Sequence, residues 1–279
     1  MRDCSPSDLV DITPGWQASL RLGFGRDGDT TRLLRREHRG PLRVQKALYP
    51  EGPAACHVIV VHPPGGVVGG DRLEIELDAG PGCLVLATSP GAAKWYRANG
   101  RVSQQAVHLR AAAGAAIEWL PQETILYDAA NVDFGHEVDL GAGAIYLCSE
   151  ILCFGRQAAG ETFRSGRLRQ RTRIRQDGRL LWHEQGVLTP DGVASPLGMR
   201  GHAVCATFLA VGPPVPAALQ ATIRAHDPQL ALSQVKTVFV ARHLGDYSEM
   251  ARAAMLRVWQ ALRPHLLGRP ACAPRIWHT

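Results

Sequence analysis

From residue 57 onward the apolar positions of this chain fall mostly into short runs, and many of those runs alternate with polar residues. His57-Val58-Ile59-Val60-Val61-His62 is a β-branched run of the kind a strand covered on both faces carries. Leu73, Ile75 and Leu77 alternate with Glu74, Glu76 and Asp78, which predicts a strand with one wet face. Gly80-Pro81-Gly82 then turns the chain into Cys83–Thr88. Further strands are predicted at Val102–Leu109, Ala115–Leu120, Ile145–Phe154, Leu168–Ile174 and Leu180–Val187, with Asp177-Gly178 as a hairpin turn between the last two. No helical segments intervene, which argues against a βαβ fold. The expectation is a mostly β, large antiparallel architecture of many strands with a few helices.

Helical spacing is clear only near the end of the chain. Tyr247, Met250, Ala251, Ala254, Val258, Ala261 and Leu262 follow it, with Asp246 as N-cap and Pro264 as the stop. A weaker helix is predicted over 216–225, where Pro216 suits a first turn. Trp277 is expected to dock back onto the body.

Composition adds limits. The 279 residues are 46% hydrophobic and 20% charged, enough for a sizeable core, and are expected to form a single domain over 1–279. Met1–Asp8 leads into no apolar export segment, and no stretch approaches the roughly 18 apolar residues of a membrane span. Seven cysteines without a CxxC pair suggest reduced thiols, so a soluble cytoplasmic protein is expected. A net charge of +6 favours an acidic partner or nucleic acid.

Three features could carry chemistry. The first is His62-Pro63-Pro64-Gly65-Gly66-Val67-Val68-Gly69-Gly70-Asp71. It lacks the Lys and the following helix of a phosphate loop, so its glycines read as tight backbone packing, framed by two groups able to bind a metal or a proton. The second is Glu150, which strand alternation places with Tyr146, Cys148, Leu152 and Phe154 on one face. A carboxylate there must shift its pKa, find a partner or line a wet cavity.

The third is Arg167–Arg175, in which every second residue is arginine. On a strand these side chains project about 6.5–7 Å apart from one face and need acidic company. Candidates are Glu184 across the hairpin, Glu74 or Glu76, an acidic protein, or nucleic acid. No aromatic residues interleave the stripe as they do in single-strand binders. Neither a G-x-S-x-G elbow nor an H-E-x-x-H helix occurs, so no enzyme is expected.

The loop at 62–71 resembles that of UreD-type (UreH) urease accessory proteins. The likeness continues through Thr88…Lys94-Trp95-Tyr96-Arg97, Trp119–Asp128, Glu150–Arg156, Gly166…Arg171–Ile174 and Pro274-Arg275-Ile276-Trp277. This resemblance implies a non-catalytic, mainly β maturation factor that stands between apo-urease and a UreF–UreG complex and assists nickel delivery. It implies no tightly bound cofactor, only transient nickel. Candidate residues for a nickel route are then His62, Asp71, Asp128, Glu150 and Glu184, and for partner binding Lys94, Tyr96, Arg97, Arg169, Arg171 and Arg173. The alternative is a module that binds nucleic acid or an acidic protein through Arg167–Arg175.

Overall fold

The computed structural model describes residues 15–278. Cys4 and the Met1–Asp8 stretch, both used above, lie outside the described residues. The strands are β1 (Gln17–Asp27), β2 (Thr30–Arg39), β3 (Arg43–Val44), β4 (Ala55–Val61), β5 (Arg72–Ala79) and β6 (Leu84–Thr88). There follow β7 (Ala93–Trp95), β8 (Ser103–Ala111), β9 (Ala116–Leu120), β10 (Thr124–Leu126), β11 (Asn131–Leu140) and β12 (Ile145–Phe154). Then come β13 (Arg167–Gln176), β14 (Arg179–Leu188), α1 (Pro190–Ala194), β15 (Val204–Val211), α2 (Ala217–His226), β16 (Ala231–Val235), β17 (Val238–Gly245) and α3 (Ser248–Leu267).

These strands form two sheets. Sheet one runs β14-β13-β11-β8-β5-β1-β2, and sheet two runs β16-β17-β15-β12-β9-β6-β4-β3, with β10 and β7 joined beside β12. From β4 to β13 the chain steps back and forth between the sheets, laying a strand in sheet two, followed after β6 and β9 by the short β7 and β10 of the same sheet, and the next in sheet one. Each circuit returns in the same direction, so same-sheet neighbours such as β5 and β8, β8 and β11, or β6 and β9 are parallel. The mostly β class holds, but antiparallel pairing as its organising rule does not. A parallel pair normally needs a helical crossover; here the crossover is a strand of the opposite sheet, so no helix announces it. Antiparallel pairs close the ends: β1 with β2, β13 with β14, and β15, β17 and β16 after β12.

The packing follows from strand alternation. Leu73, Ile75 and Leu77 of β5 and Val107 and Leu109 of β8 point inward from sheet one against Val58, Ala87, Trp119 and Tyr146 of sheet two. The other face of sheet two, with Leu86, Leu147, Ile151, Phe208 and Phe239, is covered by Ala254, Met255, Val258, Trp259 and Leu262 of α3. Sheet two is therefore buried on both faces, whereas the outer face of sheet one carries charge. The Asp177-Gly178 turn is formed as expected, with φ of 49° and 77° at its two residues.

Helix α3 departs from the sequence reading at both ends. It starts after Tyr247, because the Asp246 carboxylate is engaged by His202 and the Ala203 N–H. It runs through Pro264 and ends at Gly268, which takes the left-handed conformation and donates its N–H to the Pro264 carbonyl. A glycine in that conformation terminates a helix more decisively than a proline in its exposed last turn. Trp277 does dock: its indole N–H donates to Thr88 Oγ1 at 2.8 Å, and its ring meets Trp259 edge-on at 5.8 Å.

Beneath α3 lies a buried charge cluster that the sequence reading missed. Arg263, fully buried, donates from Nε to both Glu118 oxygens at 3.0 Å and from Nη1 and Nη2 to the Glu51 oxygens at 2.7 Å. Trp259 donates to Glu118 at 2.6 Å, and His57 lies 2.6 Å from Glu51. Burial alone would raise the Glu51 carboxyl, but hydrogen bonds from His57 and Arg263 outweigh it and bring it from 4.5 down to about 2. The folded value lies below the unfolded one, so this stabilisation is complete above the unfolded pKa and is lost as pH falls from there towards about 2. We expect Glu51→Gln to weaken the loss of thermal stability on acidification. Parallel acid profiles for variant and parent would contradict this.

Candidate functional site

The inner faces of the two sheets become polar where β12 faces β13 and β14. Across sheet one, register aligns Ile75, Val107, His136, Thr172 and Glu184, and one step along it aligns Leu73, Gln105, Phe134 and Gln170. Across sheet two it aligns Glu150, Thr207 and Arg242. Such groups keep large side chains from closing the gap between the sheets, and two cavities lie there. The larger, of about 340 Å³, is lined by His62, Lys94, Gln105, His136, Cys148 and Glu150 among others. The smaller, of about 180 Å³, is lined by Glu150, Thr172, Glu184, Cys205, Thr207 and Arg242 among others. Both have His136, Cys148, Glu150 and Gln170 in their walls, so they meet at Glu150.

Burial pushes the Glu150 carboxyl above its ordinary value, the Gln170 amide bonded to it at 2.5 Å pulls it down, Glu184 pushes it up again and Arg242 pulls it down. His136 is held down to about 4 by burial and by His108, and its Nε2 is hydrogen-bonded to the Tyr146 hydroxyl at 2.8 Å. Burial likewise lifts the Cys148 and Cys205 thiols to about 12. The junction therefore offers a neutral imidazole, a carboxyl held above its ordinary value and protonated thiols. Among the described residues, no three His, Cys, Asp or Glu side chains converge to hold a metal ion.

The sequence candidates divide accordingly. His62 and Glu150 share the larger cavity, Glu150 and Glu184 the smaller, and Lys94 reaches the wall of the larger. His62 is lowered by burial and raised by Asp71. Asp71 and Asp128 stand in neither wall. The Asp71 oxygens accept the Trp16 and Val68 N–H groups at 2.8 and 3.0 Å, closing the glycine loop. Asp128 Oδ1 accepts the Ser165, Arg164 and Ala129 N–H groups at 2.8, 2.9 and 3.1 Å. Burial would raise this carboxyl, but those donors hold it below its usual value.

The glycine loop itself packs as read from its composition. A Cβ on Gly66 would run into the Tyr96 ring, and one on Gly69 into the Ala98 carbonyl. Tyr96 is thereby a packing residue, set edge-on to Tyr127 at 4.8 Å, while Arg97 is exposed. The arginine stripe finds its counter-charges on β11, which the sequence reading did not identify as a strand. Arg169 meets Asp133 at 3.5 Å, and Arg171, Arg173 and Arg175 meet Glu137 at 3.7, 3.5 and 3.4 Å. Glu184, one of the candidate counter-charges, points to the opposite face and pairs with Arg242. Glu76 likewise pairs elsewhere, with Arg21 at 2.9 Å.

His136, Gln170 and Arg242 are site residues that sequence reasoning missed. The period-two pattern Val132, Phe134, His136, Val138, Leu140 contains the signal for the first.

The UreD urease accessory protein family matches residues 17–278. The urease accessory protein UreD of Janthinobacterium sp. (strain Marseille) is 54% identical over 271 residues, covering 94% of this chain and 92% of the relative. That of Nitrosospira multiformis is 48% identical over 94% of this chain and 98% of the relative, and that of Pseudomonas fluorescens 47% over 96% and 97%. With a match along nearly all of its length, the chain belongs to the UreD urease accessory protein family.

Proposed function

We propose that this protein is a non-catalytic maturation factor of urease, a cytoplasmic scaffold between the urease apoprotein and a UreF–UreG complex. On this reading nickel crosses it through the space between the two sheets. The observation that carries the reading is the pair of cavities that meet at Glu150, with His62 in the wall of one and Glu184 in the wall of the other. Nickel(II) accepts imidazole nitrogen and carboxylate oxygen. A transit site should offer few such ligands at each stop, and the isolated His62, the His136–Glu150 junction and Glu184 fit that need. Asp71 and Asp128, whose oxygens serve backbone N–H groups, have no part in the route.

Family membership supports the role in urease maturation. The described residues contain no helix long and apolar enough to cross a membrane, which fits the cytoplasmic part of the proposal. Asp133 and Glu137 offset part of the arginine stripe's charge, which weakens the case for nucleic-acid binding. The test is nickel-dependent urease activation in a heterologous host carrying the other accessory proteins. Activation should collapse without this chain, and the chain should co-purify with urease apoprotein or a UreF-type partner. Normal activation in its absence would overturn the proposal.

A further inference from the structure

Sheet two is interrupted where it covers Glu150. β9 pairs with β12 up to Cys148↔Trp119, and β10 takes over only at Leu152↔Thr124. Among the described residues, no strand pairing joins Ser149–Ile151 to Pro121–Glu123, where Pro121 has no N–H to offer. The adjacent pair parts at the same level: β6 and β9 separate after Thr88↔Leu120, and β7 and β10 begin at Ala93↔Thr124. Side chains trim the resulting gap. The Gln122 N–H donates to Ser89 Oγ at 2.9 Å, and Thr88 Oγ1 donates to the Leu120 carbonyl at 2.5 Å.

On the helix side of the gap lies a pocket of about 130 Å³, roofed by Arg252, Met255, Leu256, Trp259, Trp277 and His278. Pro121, Gln122, Ser149 and Ile151 line both this pocket and the larger inter-sheet cavity, so only the rim of the gap separates the two. Part of the roof comes from a short segment after α3. Arg275–His278 is a short 3-10 turn, and Trp277 is held by its indole bond to Thr88, its edge contact with Trp259 and packing against the helix-side core. The bond lands on Thr88, which is itself part of the rim and of the larger cavity's wall.

We infer that the gap is a side mouth of the inter-sheet cavity and that the Arg275–His278 turn, with Trp277 as its stopper, keeps it shut. When Trp277 leaves Thr88, water and small hydrated solutes gain a lateral way in beside Glu150. The benefit of a shut mouth, that an ion moving from end to end does not leak sideways, rests on the transit reading above. The existence of the mouth does not, and its test contains no nickel.

The test is peptide-resolved alkylation of the folded full chain by iodoacetamide. Cys148 faces the inter-sheet cavity and serves as reporter, and Cys83, buried in the core outside both cavity walls, serves as control. Trp277→Ala should speed alkylation of Cys148 by about ten-fold or more, the factor corresponding to about 1.4 kcal/mol of lost closure, with Cys83 unchanged. Trp277→Phe removes the hydrogen bond but keeps a ring, and should give a smaller rise. An unchanged Cys148 rate in Trp277→Ala would overturn the inference. So would a rise at Cys83 in step with Cys148, since that reports loosening of the whole core.

Discussion

Replacing Arg263 with methionine is expected to cost about 3–5 kcal/mol of folding stability, the range found when one partner of a buried ion pair is removed. The reason is what the substitution leaves behind. Glu118 has no exposed surface, and among the described residues Glu51 keeps only His57 and, at 3.9 Å, Arg269. Burial already pushes the Glu118 carboxyl above its ordinary value, and the Arg263 guanidinium and the Trp259 N–H hold that rise in check. Without Arg263 the carboxyl must take up a proton or remain an unpaired buried charge, and both outcomes weaken the fold. Arg263 also donates to the Pro270 carbonyl, so the segment that follows α3 loses an anchor.

Urea unfolding reads the loss as a lower midpoint at unchanged slope. Arg257→Met is the control: its partner Asp227 lies 3.0 Å away, but the Arg257 side chain is 40% exposed, so a loss of about 1 kcal/mol or less is expected. Adding Glu118→Leu to Arg263→Met should recover part of the stability, because the stranded carboxylate is then gone. A single-variant loss no larger than that of the control would show that the cluster contributes only packing.

The contrast between this cluster and the arginine stripe shows what the sequence could reveal. Period two was enough to place Arg169, Arg171 and Arg173 on one face of β13 and Glu150 among apolar neighbours on β12, because both inferences use residues within one strand. Partners are another matter. The stripe's counter-charges sit on β11, whose Asp133, Gly135, Glu137 and Asp139 dilute its apolar signal, although the alternation Val132, Phe134, Val138, Leu140 is present. Glu118 lies in a strand recognised from its apolar run, but its partner Arg263 is 145 residues away on a helix whose own periodicity suggested only aliphatic packing.

Parallel pairing was hidden for a related reason. Successive side chains point to opposite faces in parallel and antiparallel strands alike, and a chain that winds between two sheets uses short connections in either case. The cavities were legible only as a question, what a carboxylate does among Tyr146, Cys148 and Leu152. The answer required His136, Thr172 and Arg242 from three other strands to be brought opposite it.

Glu150→Ala is expected to lower the nickel content of urease matured with the variant by about ten-fold, the low end of what losing a metal-orienting group costs. Of the residues in the proposed route, Glu150 alone stands in both cavity walls with a side chain able to take a negative charge, so its removal breaks the path at its narrowest choice of ligands. Its raised carboxyl matters here. A carboxyl raised by burial gives up its proton less readily than an ordinary one, and since a carboxylate must be deprotonated to hold a metal, its grip on a passing cation is the weaker for it. Glu150→Gln keeps the shape but cannot ionise, and should fall nearly as far as Glu150→Ala. Lys94→Ala, at the wall of the larger cavity and without metal-binding ability as a cation, should load nickel normally. Each variant must retain its co-purification with partners and its unfolding midpoint, so that loading is read apart from assembly. Full nickel loading in Glu150→Gln would remove Glu150 from the route.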